Sequence, residues 1–278
     1  MNALLPILGL LMNPSSIAAT PAEALVAGHQ ERPVVVAHRG ASSIAPENTL
    51  AAIKAAAKLG ARAVEFDVHR SQDGSIVLIH DHTLARTTNG RGLVRKRTLD
   101  ALQSLDAGSW FSPEFKAETI PTLEEALAVT PDTMVACIEI KTREPVVGTI
   151  RKILERTNKK ESAVIFSFVP SQIRATVDQM PTVPALLLVD ISLGSRYTAG
   201  SLAKSAQSAG TRILGLAHHG VTRELVERLH AAGLTVFVYT VDSAQDVKRM
   251  VLAGVDGIIS NKPRATLSRL HQYKPQSN

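Results

Sequence analysis

The sequence predicts an α/β fold, a TIM-type (β/α)8 barrel with a loop-rich insertion after the strand that ends at His80. Three observations lead there. From Pro33 onward, short runs of Val, Ile and Leu alternate with Ala- and Leu-rich stretches of helical period. That alternation implies a mainly parallel sheet with crossover helices. The chain has 278 residues, 45% of them hydrophobic, and a barrel of about 250 residues is a common single-domain solution at such a length. The second and third strand-like runs are separated only by a short segment containing Gln72-Asp73-Gly74-Ser75. A helix does not fit there, so those two strands form a hairpin.

Residues 3–12 form a short apolar run, broken by Pro6 and leading to Ala22-Glu23-Ala24, which resembles a signal-peptide cleavage pattern without the usual basic residues before it. Residues 1–24 are therefore expected to be a signal peptide or a disordered tail. A periplasmic or secreted location follows, with a cytoplasmic one as the alternative. The run is too short to span a membrane stably, and nothing later approaches a spanning length.

The barrel domain is placed at 33–270, with a tail over 271–278. Strands are expected at 34–37, 63–68, 76–80, 134–140, 163–168, 185–189, 213–216, 235–241 and 257–260, and helices at 49–59, 122–129, 222–232 and 244–253. The list holds one strand more than a barrel needs, and the hairpin accounts for it. Asn48 or Thr49 caps the first of these helices. Residues 81–121, rich in Gly, Thr and basic residues, form an insertion with little regular structure. Loops of that length act as lids or binding segments.

Lys and Arg total 31 against 25 acidic residues, a net charge of +6, which favours anionic ligands. Arg86, Arg91, Arg95, Lys96 and Arg97 cluster with no acidic residue between them. Aromatic residues make up only 4% and do not interleave with that cluster, so no nucleic-acid partner is expected. The single cysteine, Cys137, excludes an internal disulfide and a multi-cysteine metal site. Its apolar surroundings make it a buried structural thiol.

The first strand ends in His38-Arg39-Gly40. At the carboxyl end of a buried parallel strand, a titratable base beside a fixed cation suggests a phosphate site. On the second strand, Glu65, Asp67 and His69 share one face. If Asp73-Gly74 is a two-residue loop, Asp67 faces His80 and Glu65 faces His82, with Cβ atoms about 5 Å apart. Two carboxylates at i, i+2 suit a hard divalent cation, Ca2+ or Mg2+. Glu139 offers a third ligand, although it could instead pair with Lys141 on the same face. A metal flanked by Arg39, Lys141 and imidazoles fits phosphodiester chemistry.

His38-Arg39-Gly40-Ala41, Pro46-Glu47-Asn48-Thr49, Glu65-Phe66-Asp67-Val68, Val77-Leu78-Ile79-His80-Asp81 and Glu139-Ile140-Lys141 together resemble the motif series of glycerophosphodiester phosphodiesterases. The resemblance implies a barrel of the phosphodiesterase kind, one divalent cation, and hydrolysis of small-molecule glycerophosphodiesters to glycerol 3-phosphate and an alcohol. It also implies Glu65, Asp67 and Glu139 as metal ligands, His38 and His80 as the acid/base pair, and Arg39 and Lys141 as phosphate contacts. Tyr239 stands where the family commonly shows tryptophan, leaving an aromatic wall at the substrate, and Asn261 where it usually shows an acidic residue. Two alternatives remain: a lysophospholipase D-type hydrolase of larger lipid diesters, and a non-catalytic phosphate-binding protein.

Overall fold

The computed structural model describes residues 18–28, 32–192, 197–270 and 272–273. Among them, one sheet contains β1 (Val34–Ala37), β2 (Ala63–Arg70), β3 (Ile76–Leu78), β4 (Val135–Ile140), β5 (Ala163–Ser167), β6 (Ala185–Val189), β7 (Ile213–Ala217), β8 (Thr235–Tyr239) and β9 (Gly257–Ser260). Eight of these strands run parallel and close into a barrel, β1 pairing with β9 on one edge and β2 on the other. Only β3 runs antiparallel, against the far end of β2. The expected barrel and the additional hairpin are both present.

Helices lie between the strands: α1 (Pro21–Val26), α2 (Leu50–Lys58), α3 (Leu99–Gln103), α4 (Leu123–Val129), α5 (Val147–Arg156), α6 (Pro170–Gln179), α7 (Ala199–Ala209), α8 (Arg223–Ala231), α9 (Ala244–Ala253) and α10 (Pro263–Leu270). Local chemistry starts and stops them. Thr49, Thr122, Thr198, Thr222 and Ser243 each cap a helix by accepting a backbone N–H. Gly210 and Gly254 end α7 and α9 in the left-handed conformation.

The period-2 pattern of each strand divides the core in two. Val64, Phe66 and Val68 of β2 and Ala136, Ile138 and Ile140 of β4 pack outward against the helices. The opposite faces supply Val36, Ala63, Val135, Cys137, Val164, Phe166, Leu186 and Phe237 to the barrel interior. Cys137 is fully buried, and burial, with the nearby Glu65 charge, raises its thiol well above the ordinary range. Hydrocarbon fills the lower barrel. The inward carboxylates of β2 and β4 come next to it and nearer the carboxyl ends of the strands.

Helix α1 belongs to this core. Its Ala22, Leu25 and Val26 are buried with the inner barrel residues, and Thr20 and Glu23 form a reciprocal capping box at its start. The fold therefore begins before Pro33 and includes the Ala22-Glu23-Ala24 pattern. The apolar run at 3–12 lies outside the described residues, as do 271 and 274–278 of the expected tail. No helix among the described residues is long and apolar enough to cross a membrane.

The hairpin differs from expectation by one residue. Val68 faces Leu78, His69 faces Val77 and Arg70 faces Ile76, leaving a five-residue connection, 71–75. Ser71 closes this wider turn, because its backbone N–H donates to Ser75 O and its Oγ accepts from Ser75 N. Asp67 and His80 are thus not directly opposed, nor are Glu65 and His82, and His82 is exposed. The insertion is also more ordered than expected. Leu84, Val94, Leu102, Ala107 and Ile120 build a small core of their own with Val77 and Ile79.

One glycine fixes the entry to the site. Gly40 has φ +84, and a Cβ there would lie 2.6 Å from backbone and side-chain carbon of Ala52 on α2. Gly40→Ala is expected to destabilise the protein by about 1–3 kcal/mol through overpacking and backbone strain. Urea unfolding would measure it, and an unchanged midpoint would contradict the assignment.

Candidate active site

Glu65 and Asp67 point inward from β2 by alternation, and Glu139 does so from β4, where it sits beside Asp67 in the parallel register. Donor oxygens of all three lie within 4.8 Å of one another, and all three residues are buried. Each carboxylate has one oxygen held by the protein. Glu65 Oε2 accepts from the Arg39 backbone N–H at 2.8 Å, Asp67 Oδ2 from Asn48 Nδ2 at 2.8 Å, and Glu139 Oε1 from Lys141 Nζ at 2.6 Å. Glu65 Oε1 and Asp67 Oδ1 are buried with no hydrogen-bond partner.

Such orphaned oxygens cost free energy unless something charged meets them. Three hard carboxylate donors converging in this way fit a Ca2+ or Mg2+ ion. Electrostatics point the same way. Burial, reinforced by the Asp67 and Glu139 charges, pushes Glu65 well above the usual carboxylate range. Burial and the Asp67 charge push Glu139 up to about 7. Asp67 is the exception: burial would raise it, but Arg39 and Lys141 hold it below its ordinary value.

The expected cations and imidazoles surround this cluster. Arg39 Nε lies 3.3 Å from Asp67 Oδ2, and Lys141 Nζ lies 3.5 Å from Asp67 Oδ1. A cavity of about 250 Å³ is lined by His38, Arg39, Glu65, His80, Glu139 and Lys141 on its charged side. Its other side is formed by Phe166, Phe168, Leu188, Tyr239 and Ile259. Seven of the eight residues expected at the site line this cavity; Asp67 does not, although its carboxylate belongs to the cluster with Glu65 and Glu139. His80 arrives despite the shifted register because β3 ends at Leu78 and the chain leaves the ladder after Ile79, whose N–H still donates to Asp67 O.

Burial, with the Arg39 charge, lowers His38 to about 4, and burial lowers His80 as well. His38 Nδ1 is 2.7 Å from Asn261 Oδ1, and His80 Nδ1 is 2.7 Å from Asp81 Oδ1. Tyr239 packs edge-on against Phe168, with centroids 5.6 Å apart, and its buried hydroxyl has no partner.

The geometry adds residues that sequence reading left in bland roles. Asn48 holds Asp67 twice, its Oδ1 also accepting from the Asp67 backbone N–H at 2.9 Å. It adopts φ +59, a left-handed turn that Asn tolerates. Glu47 accepts from Arg39 Nη1 at 2.8 Å and from both terminal nitrogens of Arg86. Arg86 Nε also donates to Asp81 at 2.8 Å. Arg86 thus leaves the surface basic cluster and joins Arg39 to His80 through Glu47 and Asp81. Asp81, beside His80 in sequence, was the one local signal. His69 contacts the His80 carbonyl, and His218 contacts the Tyr239 carbonyl.

A family model described as the glycerophosphoryl diester phosphodiesterase family matches residues 38–265. The chain is 37% identical over 240 residues to a glycerophosphodiester phosphodiesterase of Caldanaerobacter subterraneus subsp. tengcongensis, covering 84% of this chain and 96% of that one. A Bacillus subtilis glycerophosphodiester phosphodiesterase is 29% identical over 283 residues, covering 94% and 96%. Among solved structures, an Oleispira antarctica phosphodiesterase in complex with the product sn-glycerol-3-phosphate matches with a TM-score of 0.79 at 30% identity, covering 86% and 97%. A glycerophosphodiester phosphodiesterase from Agrobacterium tumefaciens matches with a TM-score of 0.73 at 28% identity, covering 85% and 99%.

Two outcomes are expected of the carboxylate cluster. Asn48→Ala should weaken Mg2+ or Ca2+ binding by about 10–100-fold, because an outer partner of a ligand is lost. Calorimetric titration would show it, and equal affinity would contradict it. Glu139 is raised to about 7 and Glu65 is also shifted upward by burial, so a cation binding here competes with protons. Apparent affinity should therefore rise with pH through 7, with protons released to the buffer. An affinity flat across that range would count against the site.

Proposed function

The chain belongs to the glycerophosphoryl diester phosphodiesterase family, a family of phosphoric diester hydrolases, and from this we propose how it hydrolyses glycerophosphodiesters to glycerol 3-phosphate and an alcohol. One observation carries the reading. Three buried carboxylates, two of them with an unpartnered oxygen, cluster beside a cavity at the carboxyl end of the barrel strands that two fixed cations and two imidazoles also line.

In this reading Glu65, Asp67 and Glu139 hold one divalent cation, Ca2+ or Mg2+. That cation, when bound, withdraws charge from the phosphate oxygens. Arg39 and Lys141 orient the phosphate and offset its charge. His38 and His80 exchange protons at Nε2. One imidazole takes the proton of a water, whose oxygen attacks phosphorus, or of the neighbouring glycerol hydroxyl, whose attack gives a cyclic phosphate that a water then opens to glycerol 3-phosphate. The bond from phosphorus to the leaving alcohol breaks, and its oxygen receives a proton from the other imidazole. The ring that serves as the acid must carry its proton at Nε2 when the step begins. The Tyr239 hydroxyl is the polar contact in the apolar half, where a substrate hydroxyl would satisfy it.

The cavity, about 250 Å³, is small for a ligand pocket and favours a short head group over a lipid chain. Glycerophosphocholine is therefore the expected substrate class, and lysophosphatidylcholine the poorer one. Comparing the two by coupled release of glycerol 3-phosphate and of choline tests this, and preference for the lipid would favour the lysophospholipase D reading. EDTA should abolish turnover, with Mg2+ or Ca2+ restoring it. His80→Ala should lower kcat by about 100-fold or more with a smaller change in binding, and a loss below about tenfold would remove its acid/base role.

For location, the apolar amino-terminal run supports export to the periplasm or outside the cell. Because α1 buries Ala22 and is capped by Thr20, an exported chain that keeps its fold is cut before Thr20. Mass spectrometry of the mature amino terminus would show this, and an intact Met1 would contradict export with cleavage.

A further inference from the structure

Asp242 and Asn261 lie outside the carboxylate cluster, and each polar atom between them has one chemically allowed role. Asp242 Oδ1 accepts from the Asn261 backbone N–H at 2.8 Å and from Ser260 Oγ at 3.0 Å, while its Oδ2 lies 2.7 Å from Asn261 Nδ2. A carboxylate accepts and does not donate, so the amide nitrogen of Asn261 must face Asp242. The amide oxygen then faces the other way, toward His38 Nδ1 at 2.7 Å and Ser42 Oγ at 3.0 Å. An amide oxygen also only accepts. His38 Nδ1 must therefore carry the ring proton, leaving the Nε2 lone pair on the cavity side, 3.9 Å from Glu65 Oε2.

We propose that Asn261 and Asp242 form a positioning pair that fixes His38 in the Nδ1–H tautomer and aims its Nε2 at the substrate proton. The value of this for turnover rests on the reading of His38 as a proton carrier. His80 is backed directly by a carboxylate, Asp81, whereas His38 is backed by an amide. The amide transmits the direction of the hydrogen bond while the charge that sets that direction stays one residue further away, on Asp242.

Long-range 15N–1H spectra of the full chain near neutral pH read the tautomer without turnover. The expected result is His38 as Nδ1–H, and an Nε2–H ring would overturn the proposal. Asn261→Ala should mix the tautomers and lower kcat by about 10–100-fold while KM changes little. An unchanged kcat would also overturn it. The exchanged pair, Asp242→Asn with Asn261→Asp, keeps every donor matched to an acceptor: the amide now at position 242 donates to the carboxylate now at position 261, which accepts from His38. It should restore the Nδ1–H signal and most of the kcat that Asn261→Asp alone loses. An exchange no better than the single variant would overturn the proposal even if Asn261→Ala fails to fold. If His38→Ala kept its turnover, the reading of His38 as a proton carrier would fail instead, and the tautomer spectrum tells the two failures apart.

Discussion

Three carboxylates with oxygens within 4.8 Å of one another, set above a hydrocarbon-filled barrel, repel each other strongly. At an effective dielectric of about 20, a pair of unit charges at such a distance is worth roughly 3 kcal/mol. Two nearby cations, Arg39 and Lys141, cannot offset three negative charges, and burial together with this shortfall raises Glu65 and Glu139. Without a further positive charge the cluster keeps protons it would otherwise lose. A divalent ion turns the balance positive, which suits a singly charged diester. Most of the surrounding structure can be understood as holding this unstable arrangement in place.

Two left-handed residues show how that is done. Arg39 (φ 54) and Asn48 (φ 59) turn the chain sharply on either side of Gly40, so that the Arg39 backbone serves Glu65 and the Asn48 side chain serves Asp67. Beyond them, Glu47, Arg86 and Asp81 form an alternating series of charges that reaches His80. The insertion is fastened to the barrel as well: Ala51 N at the start of α2 donates to Glu118, and Leu78 N donates to Pro121 O. The cavity wall is therefore set by the same contacts that set the charges.

The barrel was legible because strand and helix periods are local signals, and alternation alone puts Glu65 and Asp67 on one face of a strand, whereas Glu139 joins them only through the register between β2 and β4. His80 was found through a hairpin whose assumed loop was too short; the wider turn closed by Ser71 left the right residue at the site for a different reason. Asn48, Glu47 and Arg86 were not legible in their roles, because each acts across a loop on a residue distant in sequence. His38 and Asn261, 223 positions apart, meet only because closing the barrel brings β1 beside β9. Helix α1 escaped notice because six residues carry little periodicity, and the apolar run before it suggested a different use.

The strand β3 is not a stave of the barrel. His38 is carried by the closed sheet, whereas His80 is carried by an appended hairpin and the self-cored segment that follows. The two imidazoles thus sit on separately replaceable modules. Over evolutionary time the hairpin and its loop could be lengthened, shortened or exchanged, changing the alcohol that is accommodated, while the ring of eight strands and its carboxylates stayed as they are.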